Sequence, residues 1–120
     1  MTFGAAVKAF WKNYAVFRGR AKRSEVWWVV LFIFALSFPI ALIDTLLFFD
    51  TITQTGSGPM SLLLLLVIFV PSLSLMVRRF HDVGLSGWFV ILTLIPFAGA
   101  VFAFVVSVLP SQQGANKFGD

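Results

Sequence analysis

Residues 26–43 read VWWVVLFIFALSFPIALI, eighteen positions without a formal charge. An α-helix rises about 1.5 Å per residue, so about 20 mostly apolar residues cross a hydrocarbon core of roughly 30 Å. Extended to Phe49, this stretch is long enough to do so. Two further runs have the same character. One covers Met60 to Val77 and contains the block Leu62 to Leu66; the other covers Trp88 to Leu109 without a charge. None alternates with period two, which argues against a transmembrane barrel. In lipid the backbone must hydrogen-bond to itself, which leaves helices.

Composition agrees. The chain has 120 residues, of which 59% are hydrophobic, 17% aromatic and 12% charged. Soluble domains run near 45–50% apolar and about 25% charged. A domain of this size leaves much of its surface wet and has no room to hide so much apolar area. Soluble enzymes, disordered tails and, with no cysteine, disulfide scaffolds are therefore disfavoured. The first run is expected to be a retained anchor, because its basic preface and apolar length exceed those of a signal peptide and no clear cleavage site follows.

Each run holds one proline: Pro39, Pro71 and Pro96. In a membrane bundle neighbouring groups re-satisfy the freed carbonyl, so each reads as a kink. Residues 51–59, polar and containing glycine and proline, read as a loop.

Lysine and arginine mark the cytoplasmic side. Six precede the first run, none lies between the first and second, Arg78 and Arg79 lie between the second and third, and Lys117 follows. A cytoplasmic N-terminus thus places eight of the nine basic residues inside. Three full crossings then put the C-terminus outside. The alternative is a re-entrant hairpin broken at Ile95-Pro96-Phe97-Ala98-Gly99, which returns the tail to the cytoplasm. With only two other helices to cover non-helical backbone at that depth, the straight or kinked crossing is preferred.

Before the first run, Phe3, Val7, Phe10, Tyr14 and Phe17 form one helical stripe, with Lys8 and Lys12 on another face. This reads as a basic helix lying among headgroups, or as a stripe packed on the spans. Trp27, Trp28 and Trp88 fall at interface positions. Asp44, near the far end of the first run, is expected to face headgroups with Asp50.

Two polar clusters share the predicted cytoplasmic face: Phe17-Arg18-Gly19-Arg20-Ala21-Lys22-Arg23-Ser24-Glu25 and Arg78-Arg79-Phe80-His81-Asp82-Val83-Gly84-Leu85-Ser86-Gly87-Trp88. Glu25 and Asp82 are placed to pair with arginines, which would set helix register. Arginine forks also suit phosphate, so Arg18, Arg20, Arg23, Arg78, Arg79, His81 and Asp82 are the candidate site for anionic lipid headgroups or a phosphate-bearing ligand.

These stretches, with Asn13-Tyr14, Trp27-Trp28, Ser86-Gly87-Trp88, Ile95-Pro96-Phe97, Gly99, Gly114 and Asn116-Lys117-Phe118-Gly119, closely resemble the bacterial membrane proteins grouped as domain of unknown function 805. The resemblance runs from about Asn13 to Gly119. Pro110-Ser111-Gln112-Gln113 departs from the Pro-Gly that often opens the family's tail. The resemblance implies a small inner-membrane protein and brings no activity, substrate or cofactor.

Other chemistry finds little support. A metal site normally needs three or four ligands, and one histidine with Glu25 and Asp82 falls short. Gly84-Leu85-Ser86-Gly87 superficially resembles an intramembrane serine-protease motif, but the sole base, His81, lies on the same segment. The basic charge follows topology, so no nucleic-acid partner is expected. A transporter or channel subunit is the alternative function. No charge lies mid-span, but Gly99, Ala103 and Ser107 offer a small-residue row for contact between copies or with another membrane protein.

The expectation is an all-α membrane protein in one domain over residues 1–120. It has an interfacial helix at 3–17, spans at 26–49, 60–77 and 88–109, and a polar tail at 110–120. It lies in the bacterial inner membrane as a multi-pass protein with its N-terminus cytoplasmic. It is not an enzyme and uses no cofactor or metal; membrane lipids are its expected partners.

Overall fold

The computed structural model describes residues 2–118. It is helical, with α1 at Phe3–Lys12, α2 at Arg23–Leu47, a short α3 at Phe49–Thr55, α4 at Pro59–Asp82 and α5 at Ala98–Val108. A 3-10 segment, Gly87–Leu94, precedes α5. Two helices, α2 and α4, are long and apolar enough to cross a membrane. At 25 and 24 residues each measures about 36–38 Å against a core of roughly 30 Å. They pack through Val26, Val29, Ile68 and Leu75, onto which α1 adds Ala6 and Phe10. Phe34, Phe38, Leu42, Leu65 and Leu66 point outward, as expected of helices solvated by lipid.

The N-terminus of α4 is capped from α2. Asp44 of α2 is only 2% exposed and does not face headgroups as expected from sequence. Its carboxylate accepts from the Met60 and Ser61 backbone N–H groups at 2.8 and 2.7 Å and from the Ser61 hydroxyl at 2.6 Å. It thereby caps the N-terminus of α4, where donors are orphaned and the helix dipole favours an anion. A side chain on Gly58 would collide with this carboxylate, its Cβ lying 2.1 Å from Asp44 Oδ2. Asp50 remains exposed.

The stripe in the N-terminal segment packs onto the long helices. Phe3 meets Trp28 and Phe32, and Trp11 meets Phe32. The helix ends at Lys12, so Tyr14 and Phe17 lie in the following turn. There the Tyr14 hydroxyl donates to the Val67 carbonyl at 2.6 Å. Val67 is four residues before Pro71, so this is the carbonyl that proline leaves without a helical donor.

The third apolar run, expected to be a span, does not form one helix long enough to cross. Ile95 is extended at φ −76°, ψ 124°, as a residue before proline prefers. Phe97 follows at φ 67°, ψ −66°, and Ala98 N–H bonds to the Pro96 carbonyl at 2.8 Å. That is a γ-turn of the rare positive-φ kind. The eight-residue 3-10 arm and the eleven-residue α5 each reach about 16 Å, half the core. Gly99 lets them close, since a Cβ there would lie 2.4 Å from the Thr93 carbonyl oxygen. The small-residue row therefore begins in a contact within the chain. The hairpin tip, Phe97, is 91% exposed. The tail accordingly returns to the end of the molecule that carries Arg78 and Arg79, where Gln112 N–H bonds to the Asp82 carbonyl at 2.8 Å.

Candidate functional site

The basic end is where four segments meet: the loop before α2, the last turn of α4, the last turn of α5 and the tail. Each helix that stops here leaves carbonyls without partners, and a helix C-terminus favours cations. The arginines answer both needs.

Arg79 is fully buried. Its Nε donates to the Val106 carbonyl at 3.1 Å and its Nη2 to that of Leu109. Nη1 donates to the Ala21 carbonyl at 3.2 Å and to Asp82 Oδ2 at 2.5 Å. The remaining carbonyls of the α5 terminus are met from α2. Trp27 Nε1 donates to Ser107 at 3.0 Å and Arg23 Nη1 to Val108 at 3.3 Å. So four successive carbonyls, 106 to 109, are capped by side chains from the two long helices.

Asp82 is the counter-charge. Besides Arg79 it accepts from Arg20 Nε at 2.9 Å and from the Ser111 hydroxyl. Arg20 continues into the tail, donating to the Gln112 carbonyl at 2.6 Å and the Gly114 carbonyl at 2.7 Å. Arg78 pairs with Glu25 at 3.0 Å across α4 and α2, both side chains about 95% buried. Its Nε and Nη2 are buried without a hydrogen-bond partner among the described residues. Removing one member of such a pair strands the other charge, which is why buried pairs are costly to break.

His81 is held on both sides. Its Nδ1 lies 3.0 Å from the Gly19 carbonyl, which can only accept, so Nδ1 carries the proton. Phe118 stacks on the ring at 4.0 Å, and Asn116 Nδ2 donates to the His81 carbonyl at 2.9 Å. Next to it a cavity of about 420 Å³ opens between the second half of α4, the 3-10 arm, Phe17 and Phe118.

Of the seven residues singled out from sequence, the structure joins Arg20, Arg79 and Asp82 in one network, with Arg23 capping the same α5 terminus. Arg78 pairs with Glu25, and His81 binds Gly19 and the tail. Arg18 and Arg23 are exposed. Sequence reasoning did not single out Ser111, Gln112, Gly114 and Asn116, which dock the tail. The tail's share in the family resemblance was the available signal. Among the described residues no three His, Cys, Asp or Glu side chains gather as a metal site would require.

A model of the family described as "Protein of unknown function (DUF805)" matches residues 14–120. Inner membrane protein YhaH of Escherichia coli K12 is 34% identical over 108 residues, covering 90% of this chain and 88% of that protein. Inner membrane protein YhaI of the same strain is 33% identical over 109 residues, covering 91% of this chain and 87% of that protein. No solved structure matches.

Proposed function

This chain belongs to the DUF805 family of unknown function, whose relatives here are inner membrane proteins, and from that premise we propose a non-enzymatic protein that binds anionic lipid headgroups at its basic end. The basic end is cytoplasmic in this reading. The positive-inside rule then covers all nine lysines and arginines, because the broken third run brings Lys117 back beside Arg78 and Arg79. Two helices cross, the hairpin enters halfway, both termini are cytoplasmic and α1 lies at the headgroup level.

One observation carries the lipid reading: the imbalance of charge at this end. Among the described residues both carboxylates there, Glu25 and Asp82, are buried and taken up by Arg78, Arg79 and Arg20. Arg18, Lys22 and Arg23 are exposed with no carboxylate partner among the described residues. Surplus cations at a membrane surface attract anionic headgroups by about 1 kcal/mol each. Arg20, Arg78 and Arg79 are committed to carboxylates and backbone carbonyls, and Arg23 gives one nitrogen to Val108, so the headgroup contact falls to Arg18, Lys22 and the exposed part of Arg23. Polar side chains already committed to backbone carbonyls favour binding over catalysis.

The test is a triple substitution, Arg18→Gln, Lys22→Gln and Arg23→Gln, in the full chain reconstituted into nanodiscs. Enrichment of phosphatidylglycerol over phosphatidylcholine around the protein is read at low and high salt. We expect the enrichment to fall severalfold and to lose most of its salt dependence. An unchanged enrichment overturns the reading.

A further inference from the structure

The cavity beside His81 goes unused by the capping network. Leu73, Val77 and Val90 form its apolar wall, with Phe17, Trp88 and Phe118 around them. Its volume, about 420 Å³, falls in the range of about 300–1,000 Å³ usual for small-molecule sites. Gly87 keeps it open: a Cβ there would lie 2.7 Å from Val77 Cγ1 and 3.2 Å from His81 Nε2. His81 is only 8% exposed, and its Nδ1 is spent on Gly19. Nε2 has no partner among the described residues, and in the neutral ring it is an acceptor. His81 lines the cavity, so a ligand donor entering it can reach Nε2.

The surroundings specify what brings that donor. Phe17 precedes exposed Arg18, and Phe118 follows exposed Lys117, whose Nζ lies 5.1 Å from the Phe118 ring centre. Lys117 thus stands beside a mostly apolar slot whose polar side chains are His81 and Ser86, and Arg18 is next in the chain to the lining residue Phe17. Trp88, 79% exposed, stands on the rim, a residue suited to the membrane boundary.

We infer that this cavity holds one acyl chain of an anionic phospholipid whose headgroup also carries a hydroxyl, as phosphatidylglycerol does. The chain lies against Leu73, Val77 and Val90. The headgroup hydroxyl donates to His81 Nε2, and the phosphate meets Lys117 and Arg18. This rests on the headgroup reading above and adds to it a single saturable site with a chain requirement.

Native mass spectrometry of the full chain in detergent, titrated with phosphatidylglycerol, reads the site. We expect one lipid held per chain, at least tenfold more tightly than phosphatidylcholine of the same acyl chains. Leu73→Trp fills the cavity from α4, and Val90→Trp fills it from the opposite wall should the first fail to fold. Either is expected to weaken the single site at least tenfold. His81→Phe keeps a ring for Phe118 to stack on but removes Nε2, and is expected to weaken it severalfold. Folding of each variant is checked by circular dichroism and gel filtration. Wild-type affinity in a folded cavity-filling variant overturns the inference, as does full competition by glycerol phosphate without chains. Either result leaves the salt-dependent headgroup enrichment standing, because the triple substitution reads that separately.

Discussion

Pro71 and Pro96 sit in apolar runs of similar length, yet α4 passes through one and the chain turns back at the other. At Pro71 the carbonyl left without a helical donor, that of Val67, receives the Tyr14 hydroxyl. At Pro96 the preceding residue is extended, and the γ-turn at Phe97 reverses the direction. Gly99, three residues on, allows the reversed chain to lie against the 3-10 arm. A proline therefore does not decide between kink and reversal by itself. The decision lies in what meets the freed backbone and in whether the returning arm has a place to end. The α5 terminus has such a place, since Arg79, Trp27 and Arg23 supply donors to its last carbonyls.

The largest effect should come from removing that terminus's receptor. Arg79→Met leaves the Val106 and Leu109 carbonyls without their donor and takes one of the two arginines from buried Asp82. Breaking a buried pair from one side costs about 3–5 kcal/mol. The expected outcome is a steep loss of folded protein, read as detergent-extractable monodisperse material. It should be accompanied by new reactivity of a cysteine placed at Ser111 toward a membrane-impermeant maleimide. A variant that folds normally with a protected tail would show that the hairpin returns without this clamp.

Gly99→Leu attacks the reversal at its other support. The new side chain must displace the Thr93 carbonyl, and overpacking of this kind costs about 1–3 kcal/mol. With Pro96→Leu in the same chain, the turn loses both residues that favour it. The run then has the length to cross as one helix. A reporter fused after residue 120 should move from the side of the N-terminus to the opposite side. If both reporters stay together, the reversal is held by the caps alone.

Much of the architecture could be read along the chain, and the limits of that reading have physical causes. The uncharged runs identify α2 and α4, because length and apolarity are local properties. The gathering of Arg20, Arg78, Arg79 and Asp82 at one end follows from where charges cannot go in a bilayer. The third run looked like a span for the same reason: its composition is that of one. Its break at Ile95-Pro96-Phe97-Ala98-Gly99 is legible as the hairpin alternative, but what favours the hairpin over a crossing depends on contacts outside the run, such as Arg79 meeting Val106 across 27 positions. Asp44 misled for a related reason. A carboxylate at the end of an apolar run suits headgroups, and only the fold brings Met60 and Ser61 to it. In the site, residue types pointed to headgroup binding. The structure divides them into buried caps, such as Arg79, and exposed cations, such as Arg18, a division that burial alone makes visible.

The smallest effect tests the other proline. Tyr14→Phe removes the donor from Val67 and keeps the ring. Loss of one such hydrogen bond costs about 1 kcal/mol, read as a lower thermal midpoint in detergent. Pro71→Ala gives residue 71 an N–H, which restores the helical partner of the Val67 carbonyl. In that background Tyr14→Phe should cost little. The double-mutant cycle isolates the coupling, since the two sites share one carbonyl. Additive costs would mean that Tyr14 contributes through packing alone, and that the continuity of α4 through Pro71 does not depend on a donor from outside the helix. A coupling near the full cost of Tyr14→Phe would tie the hydroxyl to the proline, at the one position where the helix needs outside help.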